Sequence, residues 1–134
     1  MAVESLPPHV VALLEKPNPA VMATLRKDGT PVSVATWYLF EKGRILLNLD
    51  ATRTRLAHLR RDPRVALTVI EEGNWYKHVS IQGRVVSIED DPELVDIDRL
   101  STHYGGKPYP NRTSPRVSVW VEIQRWHGWN IDNG

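Results

Sequence analysis

Arg44-Ile45-Leu46-Leu47-Asn48-Leu49-Asp50-Ala51-Thr52-Arg53-Thr54-Arg55-Leu56-Ala57-His58-Leu59-Arg60-Arg61-Asp62-Pro63-Arg64-Val65 passes from an apolar run into a basic one and back. Arg44–Leu49 reads as a strand. The segment after it opens a helix, Pro63 breaks the chain, and a further strand runs from Arg64 to Glu71. Five arginines and a single acid fall between Arg53 and Arg64, in a chain whose formal net charge is only +1. A helix N-terminus offers unpaired N–H groups and the positive end of a dipole. Arginines on that first turn make a ready phosphate site. A solvated basic helix face is the alternative, and this stretch alone leaves both open.

Working outward, Ser5-Leu6-Pro7-Pro8 reads as a helix start, with Ser5 or a neighbour as cap. That helix carries Val10, Val11, Leu13 and Leu14 and stops before Pro17 and Pro19. Ala20–Arg26 and Pro31–Phe40 form a hairpin through the Asp28-Gly29 turn. Trp75–Ile88 reads mostly as strand, with Gly83 as a bulge or a point of close approach. Asp90-Asp91-Pro92-Glu93 looks like a helix start, followed by one helical face of Leu94, Ile97, Leu100 and Tyr104. After a Gly- and Pro-rich loop, Arg116–Trp126 alternates Val117, Val119, Val121 and Ile123 with polar or aromatic residues. The sum is a mostly β protein with short helices. Six strands in consecutive hairpins predict a small antiparallel barrel, with a sandwich as the competing architecture.

A chain of 134 residues is one domain, spanning 1–134. Without cysteine, disulfides, iron–sulfur clusters and thiol catalysis are excluded. No basic excess points to nucleic acid, and no apolar run approaches the ~20 residues of a membrane span. The N-terminus lacks the pattern of a signal peptide, so a cytoplasmic protein is expected.

The five histidines have no metal-site spacing, and no metal is expected. Ser80, Ser101 and Ser118 lack a nucleophile-elbow setting, and no Gly-rich phosphate loop is present. Asp90-Asp91 and Asp96/Asp98 read as a helix start and a solvated face. A small barrel with an anion site and no catalytic apparatus of its own fits a protein whose chemistry resides in a bound cofactor. Trp37 and Trp120 read as packing or subunit-contact residues, whereas Trp126-His127-Gly128-Trp129 reads as a tail covering a pocket or a partner.

Three segments then carry a family resemblance. The hairpin 20–38 contributes Ala23-Thr24-Leu25, Asp28-Gly29, Pro31, Ser33 and Trp37-Tyr38. The basic element contributes Arg53-Thr54-Arg55 and His58-Leu59-Arg60-Arg61-Asp62-Pro63-Arg64-Val65, and a later strand contributes Ile81-Gln82-Gly83-Arg84-Val85. Together they resemble the pyridoxamine 5′-phosphate oxidase-like split β-barrel superfamily, and within it the group B flavin/deazaflavin oxidoreductases that use coenzyme F420. Arg55 replaces the family's common lysine and His58 its usual asparagine, and arginine still pairs bidentately with phosphate. True pyridoxamine-phosphate oxidases carry a longer C-terminal region that binds the pyridoxal ring and phosphate, so that activity is not expected of this sequence.

The resemblance implies a six-stranded antiparallel split β-barrel homodimer with cofactors in grooves between subunits. It implies a ring against the backbone of Ser33, Val34, Ala35 and Thr36, a phosphate on Arg53 and Arg55, and further cofactor contacts from Asn48, Thr52, Trp75 and His78. The loop Tyr109–Arg112 is expected to line the substrate or tail side. Arg60 and Arg61 are expected in groove or solvent. Tyr76, His78 and Tyr104 are candidate proton donors. The implied activity is hydride transfer between F420 and a small unsaturated substrate. FMN is the alternative cofactor, and a non-catalytic cofactor-binding protein the alternative class.

Overall fold

The alternation at the end of the chain sets the core. In the computed structural model, which describes residues 5–131, Val117, Val119, Val121 and Ile123 all point inward and are at most 3% exposed. They lie on β7 (Arg116–Trp129), the central partner of β4 (Arg44–Asp50) and β6 (Asn74–Asp90). Three helices complete the chain: α1 (Pro8–Glu15), α2 (Thr54–Arg61) and α3 (Val95–Gly105). The remaining strands are β1 (Ala20–Leu25), β2 (Pro31–Thr36), β3 (Leu39–Glu41) and β5 (Arg64–Glu71).

All seven strands form one antiparallel sheet in the order β2-β1-β5-β6-β7-β4-β3. Two expectations are corrected here. The strand expected over Pro31–Phe40 is broken at Trp37-Tyr38, which gives seven strands in place of six. The ladder also does not close into a barrel: β2 and β3, joined by two residues, stand at opposite ends of the sheet and do not pair. The break has a physical cause in Tyr38. Its fully buried side chain donates to the carbonyls of Leu14 (2.9 Å) and Lys16 (3.2 Å), and its N–H donates to the Tyr104 hydroxyl. Those partners lie on α1 (Leu14), at its C-cap (Lys16) and on α3 (Tyr104), so this segment is drawn out of any ladder.

The core is filled by Leu13 and Leu14 of α1, Met22 of β1, Ile45 and Leu47 of β4, Leu67 of β5 and Ile81 of β6. Each such side chain contributes roughly 1.5–3 kcal/mol of transfer free energy. A smaller cluster of Leu94, Ile97 and Leu100 seats α3, with Leu39 and Tyr109 packed against it.

Other boundaries shift for local reasons. α1 starts at Pro8 behind Pro7, with no side-chain cap, so the proline in the first turn sets its start and Ser5 does not. β6 runs on through Asp90, and the turn at Leu94 (φ 60°) delays α3 to Val95. The Asp91 carboxylate accepts from the N–H groups of Asp96 and Ile97 and so caps that helix. The expected tail 126–129 is the end of β7, paired with Ile81, Ser80, Val79 and His78. Gly83 sits at a register shift, and a Cβ there would lie 2.5 Å from Val121 Cγ1 and 2.8 Å from the Glu122 carbonyl oxygen. That makes it both bulge and close approach. Among the described residues no helix is long and apolar enough to cross a membrane.

Candidate functional site

The turn Asp50-Ala51-Thr52-Arg53 converts β4 into α2. Asp50 Oδ1 accepts from the Thr52 hydroxyl (2.6 Å) and N–H (2.9 Å), and the Arg53 N–H donates to the Asp50 carbonyl. These bonds to Thr52, then the Arg116 and Arg53 charges, hold the Asp50 carboxyl below its ordinary value. Arg53 occupies the N-cap of α2 without a capping side chain. Leaving α2 uncapped exposes donors: the N–H groups of Thr54 and Arg55 have no partner among the described residues.

α2 is fixed from below. Leu56 and Leu59 enter the core, and buried His58 shares a 2.8 Å hydrogen bond with Thr24 Oγ1 of β1. The departure from asparagine at this position is therefore a structural contact. It anchors the helix and leaves the arginines at its entrance free.

A cavity of 530 Å³ opens at that entrance. Arg53, Arg55 and Arg116 line it with Asn48, Asp50, Ala35 and Thr36, and Pro17, Pro19, Glu72, Ile97 and Leu100 complete the floor and rim. Its aromatic wall is built by Trp37, Tyr104 and Tyr109. Trp37 stacks on Tyr104 (5.3 Å between centroids, 8° between planes) and meets Tyr109 edge-on at 6.3 Å. Tyr104 is itself held, donating to the Asn18 carbonyl at 2.7 Å, and burial pushes its hydroxyl up to about 12.

The three guanidiniums are the electrostatic signature. Among the described residues none of them has a carboxylate within 4.0 Å. Arg55 is half-buried and reaches the Met22 sulfur at 3.4 Å; burial, then the Arg53 and Arg116 charges, hold its guanidinium below the ordinary value. Among the described residues, three of the nine arginines elsewhere are ion-paired, so what sets this site apart is that three unpaired guanidiniums share one cavity. Arg64 pairs with Asp62, Arg112 with Asp98, and Arg99 with Glu41 and Asp96. Arg61 donates to the Leu25 carbonyl, and Arg60 is exposed.

Five of the expected cofactor residues thus come together: Arg53, Arg55, Ala35, Thr36 and Asn48. Ser33 and Val34 lie further along the exposed edge strand β2, outside the cavity, although Val34 is the register partner of Met22 beneath Arg55. Thr52 is not among the lining residues; its hydroxyl donates to Asp50, which is. Trp75 and His78 lie outside this cavity at the β5–β6 hairpin, where Trp75 stacks on Tyr76 and its carbonyl meets His78 Nδ1 at 3.2 Å. Tyr109 of the expected loop lines the cavity, whereas Arg112 is taken by Asp98. Sequence reasoning misses Arg116 and the placement of Trp37, which is a cavity wall and not a core residue. The signal for Arg116 is its pairing with Asp50 across β4 and β7, a contact between distant chain segments.

The sequence profile of the family described as pyridoxamine 5′-phosphate oxidase matches residues 6–130. The chain belongs to the pyridoxamine 5′-phosphate oxidase family. Among solved structures of this fold, an F420 reductase is 27% identical, with a TM-score of 0.82, 91% of this chain and 98% of that chain covered. The conserved hypothetical protein Rv2991 from Mycobacterium tuberculosis is 24% identical at TM-score 0.74, covering 98% and 88% of the two chains. An FAD-binding protein from Mesorhizobium loti is 22% identical at TM-score 0.63, covering 88% and 89%. The last two likenesses show the family's fold. No curated protein sequence matches the chain.

Proposed function

We propose that this family member is an F420-dependent oxidoreductase acting on a small unsaturated organic substrate. One observation carries the proposal: three guanidiniums without carboxylate partners meet an uncapped helix start in an aromatic-walled cavity. The 27% identity to an F420 reductase over nearly all of that chain supports the choice of cofactor. A volume of 530 Å³ is in the range of small-molecule sites. The donor set fits a phosphate-bearing cofactor, with Arg53, Arg55 and the α2 N–H groups to hold the phosphate. Backbone at Ala35 and Thr36 and the faces of Trp37 and Tyr109 would flank a ring.

When bound, F420 supplies the hydride. The chain supplies orientation and electrostatics. Tyr104 keeps its proton, since its hydroxyl is committed to the Asn18 carbonyl and stays neutral well above physiological pH. With that hydrogen directed at Asn18, the substrate's proton is assigned to solvent or to the substrate side of the cavity.

A homodimer is part of this proposal. Among the described residues the outer edge of β2 has no strand beside it, and Val21, Val34, Trp75, Tyr76 and Trp129 are exposed apolar groups suited to a second copy. FMN is the second reading, favoured by a set of three guanidiniums that would match a terminal phosphate dianion. Turnover tests the choice: protein-dependent oxidation of reduced F420 by enones, quinones or nitroimidazoles supports it. Binding of F420 with no turnover on any of them would leave a cofactor-binding module.

A further inference from the structure

The anion site at α2 gains its third guanidinium from the far end of the chain. Arg116 opens β7 opposite Asp50 and faces the cavity shared with Arg53 and Arg55. Its aim is fixed from behind. Arg116 Nε donates to Asn48 Oδ1 at 2.9 Å and Nη2 to the Asn48 carbonyl at 3.1 Å. The Asn48 amide is locked in turn, because Nδ2 donates to Asp91 Oδ2 and to Ser118 Oγ, each at 3.1 Å. Ser118 then donates to Asp96 at 2.6 Å, and Asp91 accepts from the first N–H groups of α3.

Among the described residues no buried side-chain nitrogen or oxygen is left without a partner. The polar chain behind Arg116 is therefore complete. Arg116 Nη1 has no partner among the described residues, and the Asp50 carboxylate across the β4–β7 ladder lies beyond 4.0 Å of the guanidinium. Tyr109 covers one face, 5.0 Å from the guanidinium carbon. An arginine immobilised beside two others, with no carboxylate within 4.0 Å among the described residues, is organised for an anionic ligand.

We propose that Arg116 is the third ligand of the cofactor's phosphate group and that Asn48 is the positioning residue that aims it. The inference rests on the proposed function only in taking the ligand as a phosphate-bearing cofactor, whether monoester (FMN) or diester (F420). Lysine is not an equivalent here: only the planar fork can bond Asn48 twice and still present a free nitrogen.

The test is calorimetric titration with inorganic phosphate, FMN and F420, and with riboflavin and its deaza analogue as ring compounds without phosphate. Arg116→Gln weakens phosphate, and whichever cofactor the wild type binds, by at least about tenfold. Arg116→Lys weakens them less, and the phosphate-free ring compounds bind all variants alike. Asn48→Ala weakens phosphate in the wild-type background and adds nothing in Arg116→Gln, the signature of action through Arg116. Equal phosphate affinity in wild type and Arg116→Gln overturns the assignment, as does an equal loss of the ring compounds. Absence of saturable phosphate binding to the wild type also overturns it. Should Arg116→Gln lose cooperative melting, unchanged phosphate affinity in Asn48→Ala overturns it instead. Wild type that binds phosphate but neither cofactor refutes the proposed function and leaves Arg116 assigned.

Discussion

Replacing Arg55 by methionine should move stability and ligand affinity in opposite directions. Arg55 is half-buried, lies against Met22, and has Arg53 and Arg116 as its charged neighbours. Its depressed guanidinium says that the folded protein disfavours this charge, through burial first and repulsion second. Exchanging a fully buried charge for a fitted apolar side chain stabilises by about 1–4 kcal/mol, and half-burial places Arg55 near the lower end, at about 1 kcal/mol. Methionine keeps the unbranched stem. An unfolding entropy of about 2.1 cal/mol/K per residue over 134 residues converts this into a rise of about 3–4 °C in Tm. The lost charge-assisted hydrogen bonds cost the phosphate ligand about 1.5–3 kcal/mol, or roughly 10- to 150-fold in Kd. Urea denaturation of the free protein and calorimetric titration with the cofactor measure the two effects. A variant destabilised by more than about 1 kcal/mol, with cofactor affinity unchanged, would show that Arg55 is a packing residue and refute the reasoning.

Three further perturbations test the frame. Gly83→Ala drives a methyl into Val121 and the Glu122 carbonyl, and should cost about 3 kcal/mol in urea denaturation; wild-type stability would contradict the close approach. Tyr104→Phe removes the hydroxyl between the Asn18 carbonyl and the Tyr38 N–H, costing about 1–3 kcal/mol while turnover persists. A hundredfold drop in kcat without a loss of stability would instead make Tyr104 the proton donor. Glu71 is held below its ordinary value of 4.5 chiefly by the Lys16 hydrogen bond, so that stabilisation is complete above pH 4.5 and fades as pH falls through the lower, folded value. The stability difference between wild type and Lys16→Met should accordingly shrink on acidification from pH 6 to pH 3, and a constant difference would refute the pairing.

The local elements were legible because their signals are local. The alternation of β7, the Asp28-Gly29 hairpin and the prolines around α1 each depend on neighbours in sequence. Arg53 and Arg55 could be singled out because a strand-to-helix turn places them on one helix entrance. What stayed hidden depends on long-range partners. The break at Trp37-Tyr38 follows from carbonyls at the C-terminal end of α1 and a hydroxyl on α3, so the segment's own strand pattern misleads. Arg116 joins the site only through the β4–β7 register, and Asn48 aims it only once Asp91 and Ser118 are in place. His58 reads in the sequence only as a departure from the family's usual asparagine, yet it is buried against Thr24 and anchors α2.

Fluorescence titration of the purified protein with F420 and with FMN tests the central claim most directly. The account predicts saturable F420 binding that Arg53→Ala with Arg55→Ala weakens by several kcal/mol, in line with about 1.5–3 kcal/mol for each charge-assisted contact. Micromolar binding of FMN with none of F420 would contradict it.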